Sequence, residues 1–240
     1  MLFKKTLLFL SLVSTLNKLH AQTVDDIISK YVQSIGGEHK WNMIKTIVTS
    51  GTYDYGGIVF PFTSYSKAPN LYKYIVTSNG KYFAQAFDGT EGWKIDGFKN
   101  ETKKTIFTGK KATAMANESD VELESPLINY KKKGHNAVLE GQDTVQQQVC
   151  FKVKFIRNNG DTERYFFSMK NFELLKKEMI SRNEELDNGM INIFYSDYRE
   201  INGIRIPFKS VSKAGDQTIL TVTVEKVNMN EPVSDDEFKP

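Results

Sequence analysis

Tight-turn dipeptides recur along this chain, and they limit its folding options more than any other feature. Gly56-Gly57, Asn79-Gly80, Asn159-Gly160, Asn188-Gly189 and Asn202-Gly203 each stand between runs in which apolar and polar residues alternate. Such dipeptides supply the positive φ angles of two-residue hairpins, and alternation with period two marks strands with one buried face. Strands are expected over 46–55, 58–67, 70–78, 81–88, 92–95, 136–140, 149–157, 162–168, 174–181, 190–198, 204–213 and 218–227. Short antiparallel strands in this number require one large curved sheet, a barrel or a sandwich. Strands do not alternate with helices, which excludes a nucleotide-binding parallel sheet.

Two segments break the pattern. Thr23-Val24-Asp25-Asp26 reads as a helix start with an acid at the third position. Val24, Ile27, Ile28, Tyr31, Val32 and Ile35 then fall on one stripe, and Gly36-Gly37 supplies a left-handed stop. A shorter helical stretch over 38–44 is expected to carry Trp41 and Met43 into the core. In the middle, 110–120 holds helix formers around Ala112, Met115 and Ala116, followed by an apolar loop over 125–130. An excursion between two runs of strands is expected to cover a sheet edge or the mouth of a cavity.

The first 21 residues are of a different kind. Lys4 and Lys5, an apolar run over 7–13 and a Leu19-His20-Ala21 end match a secretory signal peptide cleaved after Ala21. The apolar run is too short to cross a hydrocarbon layer of about 30 Å. The remainder, 22–240, has no Pro-, Gly- or Ser-rich linker and no repeat, and reads as one domain exported to the periplasm.

Charge and cysteine usage exclude several functions. Three of the 32 basic side chains lie in the export segment and none of the 29 acidic ones, so the mature chain is formally neutral. A nucleic-acid partner is excluded on that balance. Cys150 is the one cysteine, so no internal disulfide can form, and it reads as a small side chain packed in a strand. His39, His135 and Cys150 make no metal-ligand spacing, no cofactor motif is present, and neither a Gly-x-Ser-x-Gly elbow nor a His-Glu-x-x-His helix occurs. The acidic clusters at 118–124 and 235–237 read as solvated segments. A pair of carboxylates meeting in space stays open as a hydrolase reading. Lys131-Lys132-Lys133 has two readings, an anionic membrane contact or a hydrated loop.

Strand alternation sorts the aromatic residues. Phe151, Val153 and Phe155 share one face against Cys150, Lys152 and Lys154; Leu220, Val222 and Val224 share another against Thr221, Thr223 and Glu225. One sheet face is therefore rich in Phe, Met and Ile. Either it is a packed core, or the curved sheet encloses more volume than one helix can fill and leaves an apolar ligand cavity. The lining candidates are Phe60, Phe62, Phe87, Phe151, Phe155, Phe167, Phe194 and Phe208, with 110–130 at the mouth.

These residues also resemble a family. The helix segment IISKYVQSIGGEHKWNMIKTI, the FDGTEGW turn at 87–93, the SDYREINGIRIPF hairpin at 196–208 and the DDEFKP end are similar to LolA-like outer-membrane lipoprotein-sorting proteins, in the exported form common in Bacteroidetes. The resemblance spans 22–240. It implies an α+β fold, mainly β: an incomplete antiparallel β-barrel of about 11 strands, with the N-terminal helix and a helical mid-segment on the concave side. It also implies a non-enzymatic periplasmic carrier of lipoprotein acyl chains or lipids. Such a carrier would be monomeric and serve inner- and outer-membrane lipoprotein machinery. The chain departs from a compact carrier in its longer middle segment. None of Arg157, Arg164, Arg182, Arg199 and Arg205 sits in a motif that matches the family's lid-latching arginine. An envelope structural or interaction protein with a filled core is the alternative reading.

Overall fold

Thr23 caps the first described helix as the sequence requires. Its hydroxyl accepts from the Asp26 amide at 3.1 Å while the Asp26 carboxylate accepts from the Thr23 amide, closing a capping box on helix α1 (Val24–Ser34). The computed structural model describes residues 22–123, 125–181 and 189–240; the expected export segment 1–21 and Asn188 of one expected turn lie outside them. Gly36 and Gly37 end the helix with φ of 114° and 86°. At Gly36 a Cβ would stand 2.5 Å from the Gly203 carbonyl oxygen, so only glycine lets the helix end approach that turn. A five-residue helix α2 (Glu38–Asn42) follows. It buries Trp41, whose Nε1 donates to the Ile35 carbonyl at 3.0 Å. Met43, expected beside Trp41 in the core, is exposed, because so short a helix turns only one large residue inward.

Thirteen strands form one antiparallel sheet: β1 (Thr46–Tyr55), β2 (Ile58–Lys67), β3 (Leu71–Ser78), β4 (Lys81–Phe87), β5 (Gly92–Asp96), β6 (Thr105–Ile106), β7 (Asn136–Val145), β8 (Gln148–Ile156), β9 (Thr162–Ser168), β10 (Leu174–Ile180), β11 (Met190–Ile201), β12 (Ile204–Ala214) and β13 (Gln217–Met229). Their order is β6-β5-β4-β3-β2-β1-β13-β12-β11-β10-β9-β8-β7, so the first and last strands meet in the middle. The edges, β6 and β7, do not pair with each other, and the barrel stays open. Helix α3 (Gly109–Leu123) and the turns after it carry the chain from one edge to the other. The incomplete antiparallel barrel expected from the resemblance is the observed fold, with two differences. The two-residue β6 and the far half of β7 carry no alternation signal, so the sheet is wider than expected.

The helices lie on one face of the sheet, here the inner face. Ile27, Ile28, Tyr31 and Ile35 of α1 pack with Phe151, Val153 and Phe155 of β8, Tyr165 and Phe167 of β9, Ile204 and Phe208 of β12, and Leu127 and Ile128 of the crossing segment. Each such aliphatic side chain contributes about 1.5–3 kcal/mol by burial. Met115 of α3 packs separately, on Tyr72 and Phe87 near the β6 edge. The crossing segment is tied to the helices by charge. Lys131 Nζ lies 2.5 Å from the Asp25 carboxylate, the Tyr130 hydroxyl donates to the same group, and Lys132 pairs with Glu38 at 3.5 Å. The basic run thus bonds to the acidic helix starts.

The outer face is closed at one place by the C-terminal segment. Phe238 is fully buried there, and its carbonyl accepts from Trp93 Nε1 at 3.0 Å. Lys67 pairs with Asp235 at 2.6 Å, so the 235–237 cluster, expected to be merely solvated, anchors the tail.

Candidate functional site: the open floor of the inner face

Successive rungs across the inner face lose their cover one after another. Phe62, Gly51 and Val224 are register partners on β2, β1 and β13; Phe62 and Gly51 are buried and Val224 packs against the α1 core. The next rung runs Phe60–Tyr53–Val222–Ser210–Tyr195 across five strands, and each of these residues is half-buried. Beyond it, Leu220–Ser212–Ile193–Lys177 is also half-buried, while Tyr55 and its partner Ile58 are exposed. Under α1 the same face is closed: Phe155, Phe167 and Val153 have no exposed surface. A half-buried, largely apolar floor is thus continuous with the packed core, against which Tyr195 and Val224 pack.

Why the floor has this shape follows from the backbone. A bulge between Ser50 and Gly51 shifts the β1–β13 register, and a Cβ at position 51 would fall 2.0 Å from the Thr223 carbonyl oxygen. Glycine there lets the strands bend sharply. Next to it the Tyr53 and Phe62 rings stack at 4.2 Å between centroids.

A buried polar corner borders the floor. Arg157 and Glu163, both 3% exposed at the side chain, pair at 3.3 Å on the inner face of β9 and just past β8. Glu163 also accepts from the Tyr165 hydroxyl at 2.7 Å and lies 3.9 Å from Lys177 Nζ. Burial, followed by the Glu163 charge, pushes the Tyr165 hydroxyl well above the ordinary tyrosine range. Arg157 Nε has no hydrogen-bond partner among the described residues. These groups neutralise one another and hold the strands in register; none is poised as a nucleophile beside a base. Among the described residues no group of three or more His, Cys, Asp or Glu could hold a metal ion.

The eight phenylalanines do not line one cavity. Phe151, Phe155, Phe167 and Phe208 are packed in the α1 core. Phe60 and Phe62 belong to the open floor and its buried margin, and Phe87 lies under Met115 of α3. Phe194 is a correction: it sits on the outer face with Phe166, Val145 and Cys150, because its register partner is Lys176, not the inner-facing Lys177. Helix α3, expected at a cavity mouth, rests on the β2–β5 half. Cys150 is buried, and burial raises its thiol pKa. Tyr53, Ser210 and Tyr195 were not singled out from the sequence. They alternate in phase with Gly51, Phe208 and Ile193, which is the signal that could have found them. Arg157 and Glu163 likewise stand in phase with Phe155 and Tyr165. A separate open depression of about 770 Å³, lined by Met43, Lys45, Thr46, Lys67 and 230–234, lies away from this floor. Its polar groups are engaged, as in the Thr46 hydroxyl donating to the Glu231 carbonyl at 2.6 Å.

No protein-family description matches the chain, and no curated protein matches it in sequence. Solved structures do match. A DUF1329 family protein from Desulfovibrio piger superposes with a TM-score of 0.60 at 12% identity, over 91% of this chain and 98% of that one. A LolA superfamily protein from Nitrosomonas europaea gives 0.57 at 11% identity, over 92% and 99%. A domain named for outer membrane lipoprotein sorting, from Vibrio parahaemolyticus, gives 0.55 at 8% identity, over 90% and 95%. At these identities the likeness is one of fold. The structural neighbours of this chain are LolA superfamily and DUF1329 proteins, and its open antiparallel barrel wrapped around helices is the LolA-like fold.

Proposed function

We propose that the chain is a non-enzymatic carrier that holds lipid or lipoprotein acyl chains on the open floor of its inner face. The observation that carries this reading is the half-buried rung Phe60–Tyr53–Val222–Ser210–Tyr195, apolar apart from one hydroxyl and the tyrosine tips. An acyl chain laid along it removes water from both partners, worth about 0.8 kcal/mol for each buried methylene. The fold it shares with a domain named for lipoprotein sorting supports the same reading. The carrier works in the periplasm as a monomer, after removal of residues 1–21 and as the single domain 22–240. It receives cargo from inner-membrane machinery and delivers it to the outer membrane.

A fluorescent fatty acid tests this. Val222→Glu places a carboxylate in the middle of the floor and should weaken uptake at least tenfold, with urea stability changed little because the site is already half-open. Wild-type protein that takes up neither fatty acid nor lipopeptide would end the carrier reading. A second reading, an envelope interaction protein with a filled core, is favoured by the complete burial of Phe155, Phe167 and Val153 under α1.

A further inference from the structure

The hairpin tips at one end of the sheet hold large apolar side chains out in water. Ile58 is 62% exposed, Val59 57%, Tyr55 52%, Tyr82 40% and Phe98 38%. Ile58 and Val59 are neighbours on β2 and point to opposite faces, yet both are exposed, so this tip stands free on both sides. The strand registers put the tips at the same end. Tyr55 pairs with Ile58, Phe62 with Val76, Ser78 with Lys81, and Phe83 with Asp96. The 55–59 tip, the 79–80 turn and the 97–99 turn therefore stand side by side. Two contacts tie them: the Phe98 ring meets Phe60 edge-on at 5.9 Å, and Lys81 Nζ donates to Asn100 Oδ1 at 3.1 Å.

Cations stand on two of these turns and just after them. Lys81 and Lys103 are exposed, and the Lys99 side chain is 70% exposed. On these three tips the acids are turned inward or engaged: Asp96 is buried, accepts from the Lys99 amide and lies 3.8 Å from Lys99 Nζ, Asp54 accepts from the Gly57 amide at 2.8 Å, and Glu101 is half-buried; Asp216, on the neighbouring β12–β13 tip, is exposed. Separate apolar protrusions with lysines on one side fit a soft anionic layer, where each side chain can sink independently and an ammonium can meet a phosphate. We propose that this rim docks the protein on the surface of an anionic phospholipid bilayer, with Ile58, Val59, Tyr55, Tyr82 and Phe98 inserted at the headgroup boundary. The purpose of docking rests on the carrier reading, since the rim continues into the open floor and would let an acyl chain pass without crossing water; its test does not.

The test is flotation of the mature chain with vesicles of phosphatidylglycerol and phosphatidylethanolamine. Wild-type protein should float with them, less so at high salt and less on vesicles of phosphatidylcholine alone. The double variant I58S/V59S should partition about tenfold more weakly or worse, with thermal unfolding and fatty-acid uptake unchanged. K81E/K99E should lose the preference for anionic vesicles. Wild-type protein that stays in solution overturns the inference, and so does binding that both variants retain in full. If V222E leaves fatty-acid uptake intact while I58S/V59S abolishes flotation, the carrier reading falls and docking stands; the opposite pattern does the reverse.

Discussion

Glu163 joins three groups in a place with almost no water. Removing its charge leaves the Arg157 guanidinium buried without a counter-ion, and breaking a buried pair in this way costs about 3–5 kcal/mol. Glu163→Gln should therefore lower urea stability by about that much; a variant as stable as wild type would show that Arg157 finds another partner. Asp25 behaves differently because it is partly open to solvent. Hydrogen bonds from Lys131 and then Tyr130 hold its carboxyl below the ordinary range. A carboxyl depressed in the folded state adds stability above its unfolded pKa and loses it as pH falls through the folded one. The gap between wild type and Asp25→Asn should thus be up to about 1 kcal/mol at neutral pH and close as pH drops below about 4. A gap that widens in acid would refute this stabilising role of Asp25. These polar partners were hard to read in the sequence: Asp25 and Tyr130 lie over a hundred positions apart. Charged residues such as Arg157 also look like solvated ones until the phase of their strand is known.

At the scale of elements, α1 was legible almost residue for residue, because its cap, stripe and stop are all local features. Its packing partners were legible only as a face. Ile28→Asp puts a carboxylate against Leu127, Phe155 and their neighbours, and should destabilise by about 3–5 kcal/mol in urea. Unchanged stability would mean that the stripe does not bear on the sheet. The hairpins were found where Asn-Gly and Gly-Gly mark them: Asn79-Gly80, Asn202-Gly203 and Gly56-Gly57 all have positive φ at both positions. The β7–β8 turn was missed. Its two central residues are Gln146 and Gln147, with φ of 46° and 67°, and glutamine carries no such signal. The positive φ of 53° at Asp197 on β11 is equally silent. Which apolar face a helix covers and which stays open depends on where α1 and α3 come to rest. Strand alternation cannot contain that information.

For the whole molecule, the C-terminal segment is the piece whose loss should be easiest to see. Ending the chain at Val233 removes Phe238 from the outer face and the carbonyl that Trp93 bonds. Trp93 fluorescence should shift to longer wavelength, and the protein should lose about 2–4 kcal/mol in denaturant titration; an unshifted spectrum would show that the tail is dispensable.

Because β1 pairs with β13, everything on the β6 side of that seam comes from the first half of the domain and everything on the β7 side from the second. Each half is a plain meander whose neighbours in sequence are neighbours in space, so each can assemble as its residues emerge. The seam cannot. It waits for the final strand and joins partners as distant as Ile47 and Met229, so loop closure should make it the slow step. A circular permutant opened between β6 and β7, with the old ends linked, would carry all thirteen strands in spatial order, β13 reaching β1 through the C-terminal segment, α1 and α2. Refolding of that permutant should outpace the natural order without altering the sheet.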